Sequence, residues 1–193
     1  MEGISDIKGK LYICISKLMS NPVEFEWDDI IECKRFMDET DSRSKELSRI
    51  LHKAANIASI MINAVRSGDL ESHYISLFEL SPKCPPYLGY YGFKEEQKRR
   101  MFMVEIAGYY KRFGLKMKRG ELPDYVPAVA EFLGLTVYSG LKARRVFVYK
   151  YVKPYIGSLI ECLKKHSSLY HELYSVFDSL LDFEFARQIL VER

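Results

Sequence analysis

Glu121 and Asp124 sit at the head of Glu121-Leu122-Pro123-Asp124-Tyr125-Val126-Pro127, immediately before an apolar stripe at Val126, Val129, Ala130 and Leu133. Two chemistries fit that placement. Asp124 can serve as a helix N-cap, its carboxylate accepting from amides that the first turn leaves without partners, and Pro127 is tolerated only within that turn. Alternatively, the two carboxylates stand at the mouth of a groove and receive guanidinium groups through paired, charge-assisted hydrogen bonds.

Other reactive side chains form no arrangement that supports catalysis. His52, His73, His166 and His171 are scattered and belong to no Ser/His/Asp, HExxH or Cys/His pattern. Gly89 and Gly92 lack the residues that would turn a glycine-rich loop into a phosphate cradle. Cys14, Cys33, Cys84 and Cys162 are spaced by 19, 51 and 78 positions, with no CxxC, and the spacing suggests neither a zinc module nor a disulfide scaffold. A non-enzyme with no cofactor or metal of its own is expected.

Helices must position these groups. Apolar residues recur at intervals of three and four in Ile4, Ile7, Leu11, Ile15, Leu18; in Leu47 through Val65; and again at Ile106, Tyr110, Phe113, at Ile156, Leu159, Leu163 and at Leu173, Val176, Phe177, Leu180. Val146 to Val152 is rich in strand formers but has no hairpin partner, so it too is assigned to helix. Breakers at Asn21-Pro22, Ser67-Gly68-Asp69, Gly114, Gly120, Gly134 and Gly140 divide the chain into about seven or eight helices. At 193 residues, 48% of them hydrophobic, the chain is predicted to be a single all-α domain over 1–193. Between two of these helices, Ser81 to Phe93 carries three prolines and four aromatics. It is either a lid over the bundle or a recognition surface.

Net charge is only +3, from 29 basic and 26 acidic residues. This disfavours a nucleic-acid partner, and the clusters Lys98-Arg99-Arg100 and Lys142 to Arg145 are expected to be solvated faces. Lys8 and Lys10 precede too short an apolar stretch for an export signal, and Ala54 to Val65 falls short of the roughly 20 residues that span a bilayer. A cytoplasmic protein without integral membrane association is expected.

Tyr109-Tyr110-Lys111-Arg112-Phe113-Gly114-Leu115, followed by Glu121 to Val126 and by Glu131-Phe132-Leu133, resembles the TorD/DmsD/NarJ group of redox-enzyme maturation chaperones. Their Glu-x-Pro-Asp-His stretch heads a helix that ends in a Glu-Phe-Leu-like run. Tyr74-Ile75-Ser76-Leu77-Phe78, leading into Pro82, Pro85, Pro86 and Tyr87, resembles the family's Tyr-x-x-Leu-Phe helix and the proline-containing connection after it. Tyr125 departs from the pattern by standing where the family commonly has histidine, and Leu88-Gly89-Tyr90-Tyr91 replaces a Glu-Ser found in many members.

The resemblance implies a chaperone for the catalytic subunit of a molybdopterin-containing oxidoreductase, reducing nitrate, DMSO or a related substrate. It would bind the subunit's N-terminal twin-arginine signal segment, assist cofactor insertion before export, and act as a monomer or homodimer. Such a leader carries two guanidinium groups followed by an apolar stretch, so its receptor needs carboxylates beside an apolar groove. Glu121 and Asp124 are the candidate carboxylates. Tyr74, Phe78, Pro86, Tyr87, Pro123, Tyr125, Val126 and Leu133 are the candidate groove residues. An interaction subunit retained in a larger redox complex is the alternative.

Overall fold

The apolar stripes turn inward as their spacing predicts. In the computed structural model, which describes residues 3–66, 68–118, 120–166 and 168–185, the chain is helical and its core is continuous. Helix α1 (Ile4–Met19) is followed by a 3-10 turn at Pro22–Glu24, then α2 (Trp27–Glu39), α3 (Lys45–Arg66) and α4 (Asp69–Phe78). The short α5 (Leu88–Gly92), α6 (Glu96–Arg112) and α7 (Val126–Leu135) come next. The helical run α8 (Leu141–Phe147), a π-helical segment (Val148–Val152) and α9 (Lys153–Lys165) is unbroken, and α10 (Leu169–Phe185) ends the described chain. Counting that run once gives eight long helices plus α5 among the described residues, and none is long and apolar enough to cross a membrane.

Helices α1 and α10 are the centre. Leu11, Tyr12, Ile15 and Leu18 from the first, and Leu173, Tyr174, Phe177 and Leu180 from the second, are fully buried. Helix α7 lies on α1, α3 on α2 and α10, and α9 on α5 and α10. The breakers act where expected. Asn21 accepts from the Val23 amide to start the 3-10 turn, and Gly68 takes a left-handed conformation ahead of α4, while Ser67 lies outside the described residues.

Two expectations are corrected. The cysteines are paired, Cys14 with Cys33 between α1 and α2 and Cys84 with Cys162 between the proline-rich loop and α9, at Cα separations of 5.4 and 5.8 Å. Helix packing brings together sulfurs that sequence spacing keeps apart. The basic run before Phe147 is also more than a solvated face, because Arg144 is fully buried and its guanidinium pairs with Glu184.

Gly134 sets the closeness of α1 and α7. A β-carbon there would stand 2.8 Å from the Ile13 side chain and 2.9 Å from the Gly9 carbonyl oxygen, whereas one on Gly157 of α9 would meet nothing within 4 Å. Alanine normally gains up to about 1 kcal/mol over glycine inside a helix. Gly157→Ala is therefore expected to raise the urea midpoint. Gly134→Ala should lower it, with a net stability loss of about 1–2 kcal/mol, because backbone must move to admit the methyl group. Equal shifts in both variants would contradict this packing.

Candidate functional site

The two stretches that carry the resemblance meet in space. The Leu88 amide donates to the Asp124 carbonyl and the Val126 amide to the Pro86 carbonyl, both at 3.0 Å, which pairs Tyr87 with Tyr125 in a one-residue antiparallel bridge. Among the described residues this is the only extended pairing. Prolines explain it: Pro85, Pro86 and Pro123 hold their segments extended and supply carbonyls without competing donors. Tyr110 of α6 donates to the Pro123 carbonyl at 2.8 Å and fixes the second segment to the bundle.

Behind the bridge stands an aromatic wall. Tyr74 packs on Phe78 with ring centroids 4.8 Å apart, both rings contact Tyr170, and the Tyr74 and Tyr125 hydroxyls lie 3.2 Å apart. Burial pushes the Tyr74 phenol up to about 12 and carries Tyr125 well above the ordinary tyrosine range. Tyr125 therefore stays protonated at physiological pH, and this position does not titrate as an imidazole would.

Asp124 does something other than cap α7. Tyr125 takes the N-cap position, and Asp124 is fully buried with Oδ2 accepting from the Gly89 amide at 3.0 Å, so it braces the first turn of α5. The Arg99 guanidinium lies 3.8 Å from the same oxygen and 6.0 Å from the centre of the Tyr87 ring. The guanidinium beside this carboxylate thus belongs to the chain itself, and Arg99 is no member of a purely solvated cluster. Gly89 is needed here, since a β-carbon would sit 2.9 Å from Oδ2.

Burial raises the Asp124 pKa, against the opposing pull of the Gly89 amide and Arg99, and its Oδ1 has no hydrogen-bond partner. A carboxyl whose folded pKa is raised stabilises the fold fully below the ordinary carboxylate value, and loses that contribution as pH rises through the raised value. Asp124→Asn stays neutral throughout. Its stability relative to the unaltered protein should therefore improve as pH rises from about 4 to about 7, followed by urea denaturation. A difference that is flat across this interval would overturn the assignment.

Beside the bridge, a groove of about 480 Å³ runs between the C-terminal half of α1, the loop after α6 and the outward face of α7. Leu115, Met117, Phe132 and Leu135 give it apolar walls, and Glu24, Glu121 and Glu131 give it carboxylates. Lys17, Lys116 and Lys118 also line it, but Lys17 pairs with Asp29 and Lys118 with Glu24. Glu121 and Glu131 have no ion-pair partner among the described residues. Partial burial raises the Glu121 pKa; Lys118 opposes this, while Glu131 and Glu24 add to it.

Of the sequence candidates, Glu121 and Tyr125 open onto this groove. Tyr74, Phe78, Pro86, Pro123, Asp124 and Val126 form the frame beneath, with Tyr87 half-buried on the bridge. Leu133 faces the core of the bundle and offers no surface. Within the Ser81 to Phe93 segment, Leu88–Gly92 folds into α5 against α9, while Ser81 to Lys83 and Tyr90 stay exposed. Missing from the sequence reading were Glu24 and Glu131. The helical period contained the signal for Glu131, since it places Ala128, Glu131 and Leu135 on the face opposite Val126, Val129 and Leu133. For Glu24, remote in sequence, no such signal exists.

A family model described as "Nitrate reductase delta subunit" matches residues 38–172, a span that contains both halves of the bridge. The chain belongs to that family. This delta-family chain is 27% identical over 172 residues to the Bacillus subtilis protein named "Probable nitrate reductase molybdenum cofactor assembly chaperone NarJ", covering 89% of this chain and 88% of that one. Its architecture matches a crystal structure described as a redox enzyme maturation protein from Archaeoglobus fulgidus, with a TM-score of 0.58 over 95% of each chain. Identity there is 19%, so that likeness concerns the fold. The resemblance to the TorD/DmsD/NarJ group is borne out.

Proposed function

We propose that this delta-family chain is a cytoplasmic chaperone that captures the N-terminal segment of a molybdenum-dependent nitrate reductase catalytic subunit and keeps it receptive to its cofactor. The groove beside the Tyr87–Tyr125 bridge is the receptor in this reading. The observation that carries it is the pairing of unpartnered carboxylates, Glu121 and Glu131, with the apolar walls of Phe132, Leu135 and Met117. A guanidinium pair followed by an apolar helical turn matches such a surface in charge and in shape. The family membership and the name of the Bacillus subtilis relative support the client class.

Mechanism follows from mass action. A chaperone that binds only the cofactor-free subunit stabilises that state, and release follows when the completed subunit buries the captured segment. Tyr125, Tyr87 and Asp124 contribute by holding the groove's edge in place, with no covalent step.

Calorimetric titration with a leader peptide of a nitrate reductase catalytic subunit tests the reading. Saturable binding at or below about micromolar, roughly −8 kcal/mol, is expected, and loss of it when both arginines become alanine. Equal binding of both peptides would overturn the guanidinium assignment. The family description as a subunit favours a second reading, permanent residence in the reductase. Its mark would be one copy of the chain in the mature, cofactor-loaded enzyme.

A further inference from the structure

Cys84, Cys162 and His166 bring two sulfurs and one imidazole nitrogen to within 4.8 Å of one another, a candidate metal cluster among the described residues. Cys162 lies in the last turns of α9 and His166 caps that helix four residues on, so the two project from the same side. Cys84 is delivered from the proline-rich loop, its amide tied to the Leu77 carbonyl at 3.0 Å, and is fully buried. His166 is exposed, which gives an ion a route in. The sequence spacing of the cysteines hid this cluster because Cys84 lies 78 positions before Cys162.

We propose that Cys84, Cys162 and His166 form a redox-gated site for a single Zn²⁺ or similar borderline-soft divalent cation. As the Cys84–Cys162 disulfide, the pair is closed to metal. A dithiol reductant transfers two electrons and two protons to it, giving two thiols and leaving the reductant as its own cyclic disulfide. Binding of Zn²⁺ then displaces both thiol protons and forms two Zn–S bonds and one Zn–N bond. The Lys83 carbonyl oxygen, 3.2 Å from the Cys162 sulfur, or a water takes the fourth position. Two thiolates and an imidazole are the donor set that zinc favours over magnesium or calcium.

The site has a structural consequence. Cys84 precedes Pro85, Pro86 and Tyr87, so either the disulfide or the metal clamps to α9 the segment that forms the Tyr87–Tyr125 bridge. A reducing compartment thereby keeps the clamp that reduction alone would open. This inference concerns the cysteine cluster and does not depend on what occupies the groove.

The test uses the full chain, reduced anaerobically with a phosphine, freed of reductant and titrated with Co²⁺ and then Zn²⁺. Reduced protein is expected to take up about one Co²⁺ per chain with near-ultraviolet thiolate-to-cobalt absorption, which Zn²⁺ displaces, while oxidised protein takes up none. His166→Ala, at an exposed position that leaves the fold intact, should weaken binding at least tenfold. Cys84→Ser with Cys162→Ser should abolish it, and Cys14→Ser with Cys33→Ser should leave it unchanged. The proposal is overturned if reduced protein binds no metal, or if the His166 variant binds as tightly as the unaltered chain.

Discussion

Replacing Glu121 and Glu131 together by glutamine weakens capture of the arginine-pair leader by about thirtyfold, while urea stability stays within about 0.5 kcal/mol of the unaltered chain. The magnitude follows from exposure. A fully buried, hydrogen-bonded charge pair across an interface loses about 2–5 kcal/mol when one side is removed, and an exposed pair about 0.2–1. Glu121 is half-buried and Glu131 exposed, so their summed loss falls near 2 kcal/mol, roughly thirtyfold in affinity. Glutamine keeps the size of each side chain, so apolar contact with Phe132 and Leu135 survives and some binding remains. Raising salt should weaken the unaltered chain towards the variant, because the lost interaction is the screened one. Asp124→Asn provides the contrast. Its carboxylate is buried under Arg99 and Gly89 and faces no ligand, so leader binding should change less than threefold. A double variant that binds as the unaltered chain does would remove these two carboxylates from the site.

Legibility followed what each feature depends on. Helical stripes such as Leu11, Ile15, Leu18 are local, and one period predicts which side of α1 is buried. Val146 to Val152 shows the same rule overriding composition: Phe147, Val148, Tyr151 and Val152 are buried at helical intervals, and that burial outweighs the strand preference of their side chains. Arg144 belongs to this face too, three residues before Phe147, so phase marked it as inward while its charge suggested solvent. Asp124 was legible as a residue that satisfies an orphan amide, but the amide belongs to Gly89, 35 positions away. The cysteine pairs and Glu24 depend wholly on how helices pack. No spacing along the chain encodes them.

The buried charge network at Arg144 should carry the largest stability effect in the molecule. Arg144 and Glu184 are both fully buried side chains, joined by Nη1 to Oε1 at 2.5 Å and Nη2 to Oε2 at 3.2 Å. Nη2 also donates to the Leu133 carbonyl at 2.9 Å, and Lys8 reaches Glu184 Oε1 at 3.1 Å. One cluster thus joins α1, α7, α8 and α10. Removing one partner of a buried pair leaves an uncompensated charge, which costs about 3–5 kcal/mol, whereas an apolar replacement of both partners is often neutral. Glu184→Ala should fall at the upper end of that range, since Arg144 then has only the Leu133 carbonyl and the Phe185 ring, 5.4 Å from its guanidinium. Arg144→Met should cost less, about 2–3 kcal/mol, because Glu184 keeps Lys8 as its counter-charge. Arg144→Met with Glu184→Leu should recover to within about 1–2 kcal/mol of the unaltered protein, with Lys8 turning outward to water. Urea denaturation of the three variants checks the order. Strict additivity of the two single losses would mean the groups act independently, and would contradict a network in which Arg144 is tolerated inside the bundle because Glu184 is there.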